Sequence, residues 1–287
     1  MQTAGPRPAQ RATAPSAPSV GQLLRTWRER RRLSQLELSS RAQVSTRHLS
    51  CVETGRAQPS PELIERLAVH LEVPLRSRDD LLLAGGYAPR HRPRGLGDAE
   101  LAPVMDGLRR LLDAHQPYPA LLLDGHWDVV DTNPVVDLML AGCDPELLEP
   151  PVNVVRLSLH PKGLAPRIRN LEQWAGHLQH QVRSRAEHTH DPVLHDLAEE
   201  VAGYVQQAGG AGPGGGAGLG TDLGTGLGAG LPLVGPVLAL ELLVGGDLLR
   251  FFSVSARLET ATDATLDDLH LETFLPADVR TQQVLAR

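Results

Sequence analysis

Histidine, cysteine and paired carboxylates do most protein chemistry, and their spacing here offers little of it. His177-x-x-His180, His188-x-His190-Asp191 and His195 gather in one stretch. His177 and His180 would share a helical face and could bind a metal, but no third ligand follows at clean spacing, so a solvated surface is expected. Cys51 and Cys143 are too few for a disulfide framework or a four-ligand zinc site. Cys51 could be a redox sensor, but a lone cysteine without a partner reads first as an adventitious small residue. The carboxylates are scattered, with no pair to assign as acid and base. A nucleophile elbow, a P-loop and a zinc motif are all missing from the sequence. The glycine-rich stretch 209–230 holds chance matches to nucleotide motifs, yet twelve of its 22 residues are glycine. It has neither the preceding strand nor the following helix that such a site needs, and reads as a flexible insertion. No catalytic residue, metal or cofactor is expected.

Charge points elsewhere. The 287 residues carry a net charge of −6, but residues 1–95 hold 16 arginines against 8 acids while the remainder holds 12 basic and 26 acidic side chains. A basic first third joined to an acidic remainder suggests a polyanion-binding module with a partner domain. With 41% apolar residues the chain can bury a core, and its length suits two domains. The first 19 residues lack the apolar stretch of a signal peptide, and no run of 18 apolar residues exists. A cytoplasmic protein without a membrane partner is expected.

The elements that would position such a module follow from periodicity and caps. A Pro/Ala-rich tail (1–18) precedes a helical segment (19–86). Val20, Leu23, Leu24 and Trp27 fall at the spacing of one buried helical face, with Arg25, Arg28, Arg30, Arg31 and Arg32 opposite. Ser34 and Glu37 form a capping box for a second helix expected to bury Leu36 and Ala42. Ser45 caps a third, TRHLSCVE, with Leu49 and Val52 inward and Gly55 at its stop. Pro59-Ser60-Pro61 begins a fourth helix that buries Leu63, Ile64, Leu67, Ala68 and Leu71, and a fifth forms around DDLLLAGG. YAPRHRPRGLGD (87–98) reads as a linker.

RERRRLSQLELSSRAQVSTRHLSCVETGRAQPSPELIERLAVHLEV resembles the XRE-type, lambda-repressor-like helix-turn-helix. Its LSQ-x-EL, AQVS turn, LS-x-VE-x-GR and PS-x-x-x-L-x-x-LA elements fall in order over about 65 residues. The resemblance implies an all-α five-helix bundle that places its third helix in the DNA major groove. It also implies DNA contacts from Gln35, Ser45, Thr46, Arg47, Ser50, Cys51, Thr54 and Arg56. Gln35, Thr54 and Arg56 would meet phosphate, and Thr46, Arg47, Ser50 and Cys51 the bases. Arg47 could bond guanine O6 and N7, worth roughly 1–3 kcal/mol of discrimination. Arg28 and Glu53 match a buried ion pair of structural role.

Residues 99–280 read as α+β with an antiparallel sheet. PALLLDGHWDVV suggests a hairpin turning at Asp124-Gly125, with helical signals from Asn133 to Leu140, Pro166 to Arg185 and Pro192 to Gln206. PVLALELLV and LLRFFSVSA are strands about Gly245-Gly246-Asp247, and LHLETFLPAD is a last strand. LLLDGHWDVVDTNP, NVVRLSLHPKGL, LEQWAGHL, LLRFFSVSA and LHLETFLPAD resemble the MmyB-like ligand-binding domain of actinobacterial XRE regulators. That resemblance implies a PAS-like fold and a regulator, a repressor in the first instance, that binds double-stranded DNA. A homodimer, joined through the acidic domain, is expected because one such helix-turn-helix offers modest contact area. A small lipophilic effector, fatty-acyl or polyketide-like, is the implied ligand. Leu122, Trp127, Val130, Leu138, Leu157, Trp174, Leu178, Phe252 and Phe274 are the candidate lining of its pocket, though such residues are core first. An antitoxin or scaffold, whose acidic domain docks a protein partner, is the alternative.

Overall fold

Four serines set the helix starts in the first third of the chain. Ser19 caps α1 (Val20–Arg30), Ser34 caps α2 (Gln35–Arg41), Ser45 caps α3 (Thr46–Glu53) and Ser60 caps α4 (Pro61–His70). Each side chain accepts a hydrogen bond from an otherwise unpartnered amide of the first turn, worth about 1 kcal/mol apiece. Ser19 with Gln22, and Ser34 with Glu37, complete reciprocal capping boxes. α5 (Leu75–Ala84) closes the bundle. The computed structural model describes residues 18–91, 93–210 and 237–286, so nearly all of the expected tail, and the glycine-rich stretch beyond Gly210, lie outside the described residues. The chain divides into two compact units at Pro93/Arg94.

The core of the first unit is built from Leu24, Trp27, Leu38, Leu49, Val52, Ile64, Leu67, Leu71 and Leu82. One expectation fails there: Leu36 is 69% exposed, and Leu38 is fully buried in its place. The stripe of α2 runs through Leu38 and Ala42, four apart. Leu36 lies roughly 200° round the axis from Leu38 at 3.6 residues per turn, so both cannot face inward. Nor is the arginine face uniformly solvated. Arg28 is buried, and Arg31 donates to the carbonyls of Leu71 and Glu72 at the end of α4. Residues at the start of the 87–98 stretch are tied to the bundle: Tyr87 donates to the Pro59 carbonyl, and the amides of Arg90 and His91 donate to Asp79.

The second unit is α+β. α6 (Ala102–Ala114) leads into β1 (Ala120–Leu123) and β2 (Val129–Thr132), followed by α7 (Val136–Leu140), α8 (Val154–Leu159), α9 (Leu171–Thr189) and α10 (Pro192–Gly210). Then come β3 (Leu240–Val244), β4 (Asp247–Arg257), α11 (Ala264–Asp268), β5 (His270–Pro276) and α12 (Val279–Leu285). The strands form one five-stranded antiparallel sheet in the order β2-β1-β5-β4-β3. Gly245 and Gly246, both at positive φ, make the two-residue β3–β4 turn, where the twist of paired strands favours that geometry.

The β1–β2 turn differs from its expected form. Asp124-Gly125 does not close the hairpin; the loop runs from Asp124 to Asp128. Asp124 Oδ1 accepts from the amides of His126 and Asp128, and Trp127, at φ 65°, takes the left-handed conformation. An aspartate side chain that captures two following amides replaces the backbone turn that Asp-Gly would have made. Behind β1, the fully buried Asn133 ties the layer together: it donates to the carbonyls of Leu112 and Tyr118 and accepts from the Ala120 amide.

Candidate functional site

The third helix is anchored from below by one carboxylate. Arg28 forms a two-pronged pair with Glu53 at 2.7 and 2.8 Å, and its third arm donates to the Leu33 carbonyl. Gln35 Nε2 donates to the same carboxylate at 2.8 Å. The base of α1, the start of α2 and the end of α3 therefore meet at Glu53, which is 4% exposed. The hydrogen bond that Arg28 donates to Glu53 holds its guanidinium above the ordinary pKa, against the cost of burial. Gly21 lets α1 approach so closely that any Cβ there would collide with the Val52 carbonyl oxygen.

Above this anchor, Arg47, Thr54 and Arg56 are exposed, while Thr46, Ser50 and Cys51 are half-buried. Ser45 is exposed, and its oxygen accepts the His48 amide. Thr54 donates its hydroxyl hydrogen to the Ser50 carbonyl, so toward a phosphate it has no free hydroxyl donor. Gln35 keeps one amide hydrogen beyond the one given to Glu53. Neither Arg47 nor Arg56 has a carboxylate partner among the described residues, which leaves both guanidiniums free to meet an anion.

In the second unit a cavity of about 530 Å³ opens between the sheet and the helices. β1 contributes Leu121 and Leu123, β5 Glu272 and Phe274, α7 Val136 and Met139, α8 Leu157, and α9 Trp174, Leu178 and Gln181. Of the residues singled out in sequence, Trp127, Leu157, Trp174, Leu178 and Phe274 meet at its wall. Leu122, Val130, Leu138 and Phe252 do not. Leu122 points to the other face of β1, packing with Leu108, Leu112 and Leu269, and Val130 packs against that same cluster. Phe252 has opposite parity to Phe251, which is fully buried in the main core. Leu138 is 55% exposed on the outer side of α7. Sequence reasoning missed Leu121, Leu123, Val136, Met139 and Glu272. In β1 no alternation could have found them, since its residues read Ala-Leu-Leu-Leu.

Trp127 also meets a cationic cluster. The Arg185 guanidinium lies over its ring at 5.2 Å, and His270 packs edge-on to it at 6.2 Å. Burial chiefly, then Arg257, lowers the Arg185 pKa to about 10. Burial, followed by Arg185 and Arg257, lowers His270 to about 4, so it is neutral near pH 7. Trp174 Nε1 and His270 Nδ1 are buried without hydrogen-bond partners among the described residues. Cys143 Sγ accepts from Arg167 at 3.3 Å. Among the described residues no group of three His, Cys, Asp or Glu could hold a metal ion, and no helix is long and apolar enough to cross a membrane.

Residues 19–81 match the family model of a helix-turn-helix domain, and residues 104–208 match that of the MmyB-like transcription regulator ligand binding domain. No curated protein matches the chain significantly. The first match spans α1 to most of α5 and includes the Glu53 anchor. The second spans β1 to α10 and supplies most of the cavity wall, while Leu240, Glu272 and Phe274 come from beyond it. The chain thus joins a helix-turn-helix domain in one unit to an MmyB-like transcription regulator ligand-binding domain in the other, the architecture of a DNA-binding transcription regulator with a ligand domain.

Proposed function

We propose that this regulator is a repressor that reads its operator with α3 as a homodimer, and that a lipophilic molecule in the second unit's cavity controls its DNA affinity. Its most direct support is the exposed Arg47, which has no carboxylate partner in the first turn of a helix locked by Ser45 above and Glu53 below. A bidentate guanidinium in the major groove recognises guanine, and Arg56 adds charge for phosphate. Thr46, Ser50 and Cys51 complete the base-facing set, and Gln35, Ser45 and Thr54 flank it. A single small module makes few contacts, so two copies on half-sites roughly 34–36 Å apart supply the affinity. The largely apolar cavity suits an apolar ligand body, fatty-acyl or polyketide-like in bulk. Such a ligand acts by binding more tightly to one of two arrangements of the regulator, and DNA disfavours that arrangement by the same free energy.

Fluorescence anisotropy with labelled DNA from upstream of the gene, at two salt concentrations, tests this reading beside Arg47→Ala. Binding that exceeds random DNA and weakens by roughly 1–3 kcal/mol in the variant supports it. Salt-sensitive binding equal for all sequences would reduce the module to a basic patch. A protein that stays monomeric at micromolar concentration with and without DNA would refute the dimer.

A further inference from the structure

The charge of the cavity wall has one sign. Among the described lining residues the carboxyls are Glu272 and Asp137, and no lysine, arginine or histidine joins them. Asp137 is exposed, which places it where the cavity meets solvent. Glu272 is further in, half-buried in the middle of β5, opposite Leu121 of β1 and Ser255 of β4. Burial raises its carboxyl pKa, and only a hydrogen bond with Ser253 works the other way. Among the described residues no basic group offsets it. An acid without a cation on a largely apolar wall lacks one half of an ion pair. Trp127, Trp174 and Phe274 line the same space, and aromatic rings attract cations.

From this arrangement we propose that the cavity takes a lipophilic cation, an amine or quaternary ammonium on a hydrocarbon body, with Glu272 as its counter-charge. The proposal rests on reading the cavity as the effector pocket and names the chemistry of that effector. The cations nearby do not oppose it. Arg185 stacks on Trp127 but is not part of the wall, and Asp268, Asp124 and Asp267 act on it. Arg257 pairs with His270 at the end of the β4–β5 ladder, and that histidine is neutral. A fatty carboxylate would instead bring a negative charge to a wall whose only charged groups are acids, and like charges side by side disfavour both ionised forms.

Titration calorimetry on the full chain separates the cases with three probes of one chain length: decyltrimethylammonium, decanol and decanoate, each below its micellar concentration. The ammonium should bind at least about tenfold more tightly than decanoate, or about 1.4 kcal/mol. Glu272→Gln should remove that advantage and leave decanol unchanged. Decanoate binding as tightly as the ammonium overturns the cation proposal while leaving an effector pocket in place. A cation preference undiminished in Glu272→Gln, but lost in Asp137→Asn, overturns the assignment to Glu272. If none of the three binds, the pocket reading fails together with the proposal. Should Glu272→Gln not fold, the unmodified chain's ranking of the three probes still decides the sign of the charge.

Discussion

Replacing Glu53 by glutamine should loosen the DNA-reading module more than any surface change, by an amount the structure bounds. The substitution keeps the side chain's shape but removes the charge that receives two bonds from Arg28 and one from Gln35. Breaking a buried pair from one side costs roughly 3–5 kcal/mol, because the surviving ion stays desolvated. Two features favour the lower end. Arg28 still donates to the Leu33 carbonyl, and Glu29 lies 3.8 Å from its guanidinium. About 3 kcal/mol is then expected, or roughly a 10²-fold loss of amide hydrogen-exchange protection. The loss should appear in α1 and α3 of the full chain, with α9 and α10 serving as the internal control. The double change Arg28→Met with Glu53→Met, which leaves no stranded charge, should be milder than either single change. Less than a threefold loss in Glu53→Gln, or a double variant as damaged as the sum of its singles, would refute the reasoning.

Other expectations follow from the same geometry. His270 is buried and neutral in the fold, with a pKa of about 4 against an ordinary 6.5. Below pH 6.5 the unfolded chain binds a proton there that the folded chain refuses, so stability falls as pH drops toward 4, by up to about 3 kcal/mol. His270→Gln should flatten that slope in denaturant titrations across the range. Leu38→Ala should cost roughly 2–5 kcal/mol and Leu36→Ala within about 0.5, as read by thermal melting; equal costs would mean that α2 faces otherwise. Asn133→Ala strands the Ala120 amide and the Tyr118 carbonyl behind β1, while the Leu112 carbonyl keeps the His115 amide, and should cost roughly 2–4 kcal/mol, again read by melting.

The helical bundle was legible because its instructions are local. Ser34, Ser45 and Ser60 announce their helices within four residues, and the i, i+3, i+4 stripes of α1 and α4 need no knowledge of their neighbours. Leu36 and Leu38 show where local reading stops. Both are leucines in a seven-residue helix, too short for a stripe to repeat, and only the bundle decides which is buried. The Asp124 loop shows another limit. Asp-Gly is a strong hairpin signal, but it competes with an aspartate side chain that bonds the next two free amides, and the sequence is the same either way.

The cavity was legible in its helical half and obscure in its sheet. Trp174 and Leu178 sit four apart on α9, so one helical stripe placed both at the wall. In strands the side chains alternate, and a choice off by one residue moves every member to the other face. Leu122 in place of Leu121 and Leu123 is that error, and Phe252 likewise has opposite parity on β4 to the core residue Phe251. What fixes the parity is pairing: Leu121 lies opposite Glu272, and Phe274 opposite Ser253. β1 meets β5 across roughly 150 residues of chain, farther than any local pattern reaches. The same distance explains why Glu272 passed unnoticed. In sequence it is one acid among 34, and only the ladder brings it to a largely apolar wall where a carboxyl without a cation has chemical consequence.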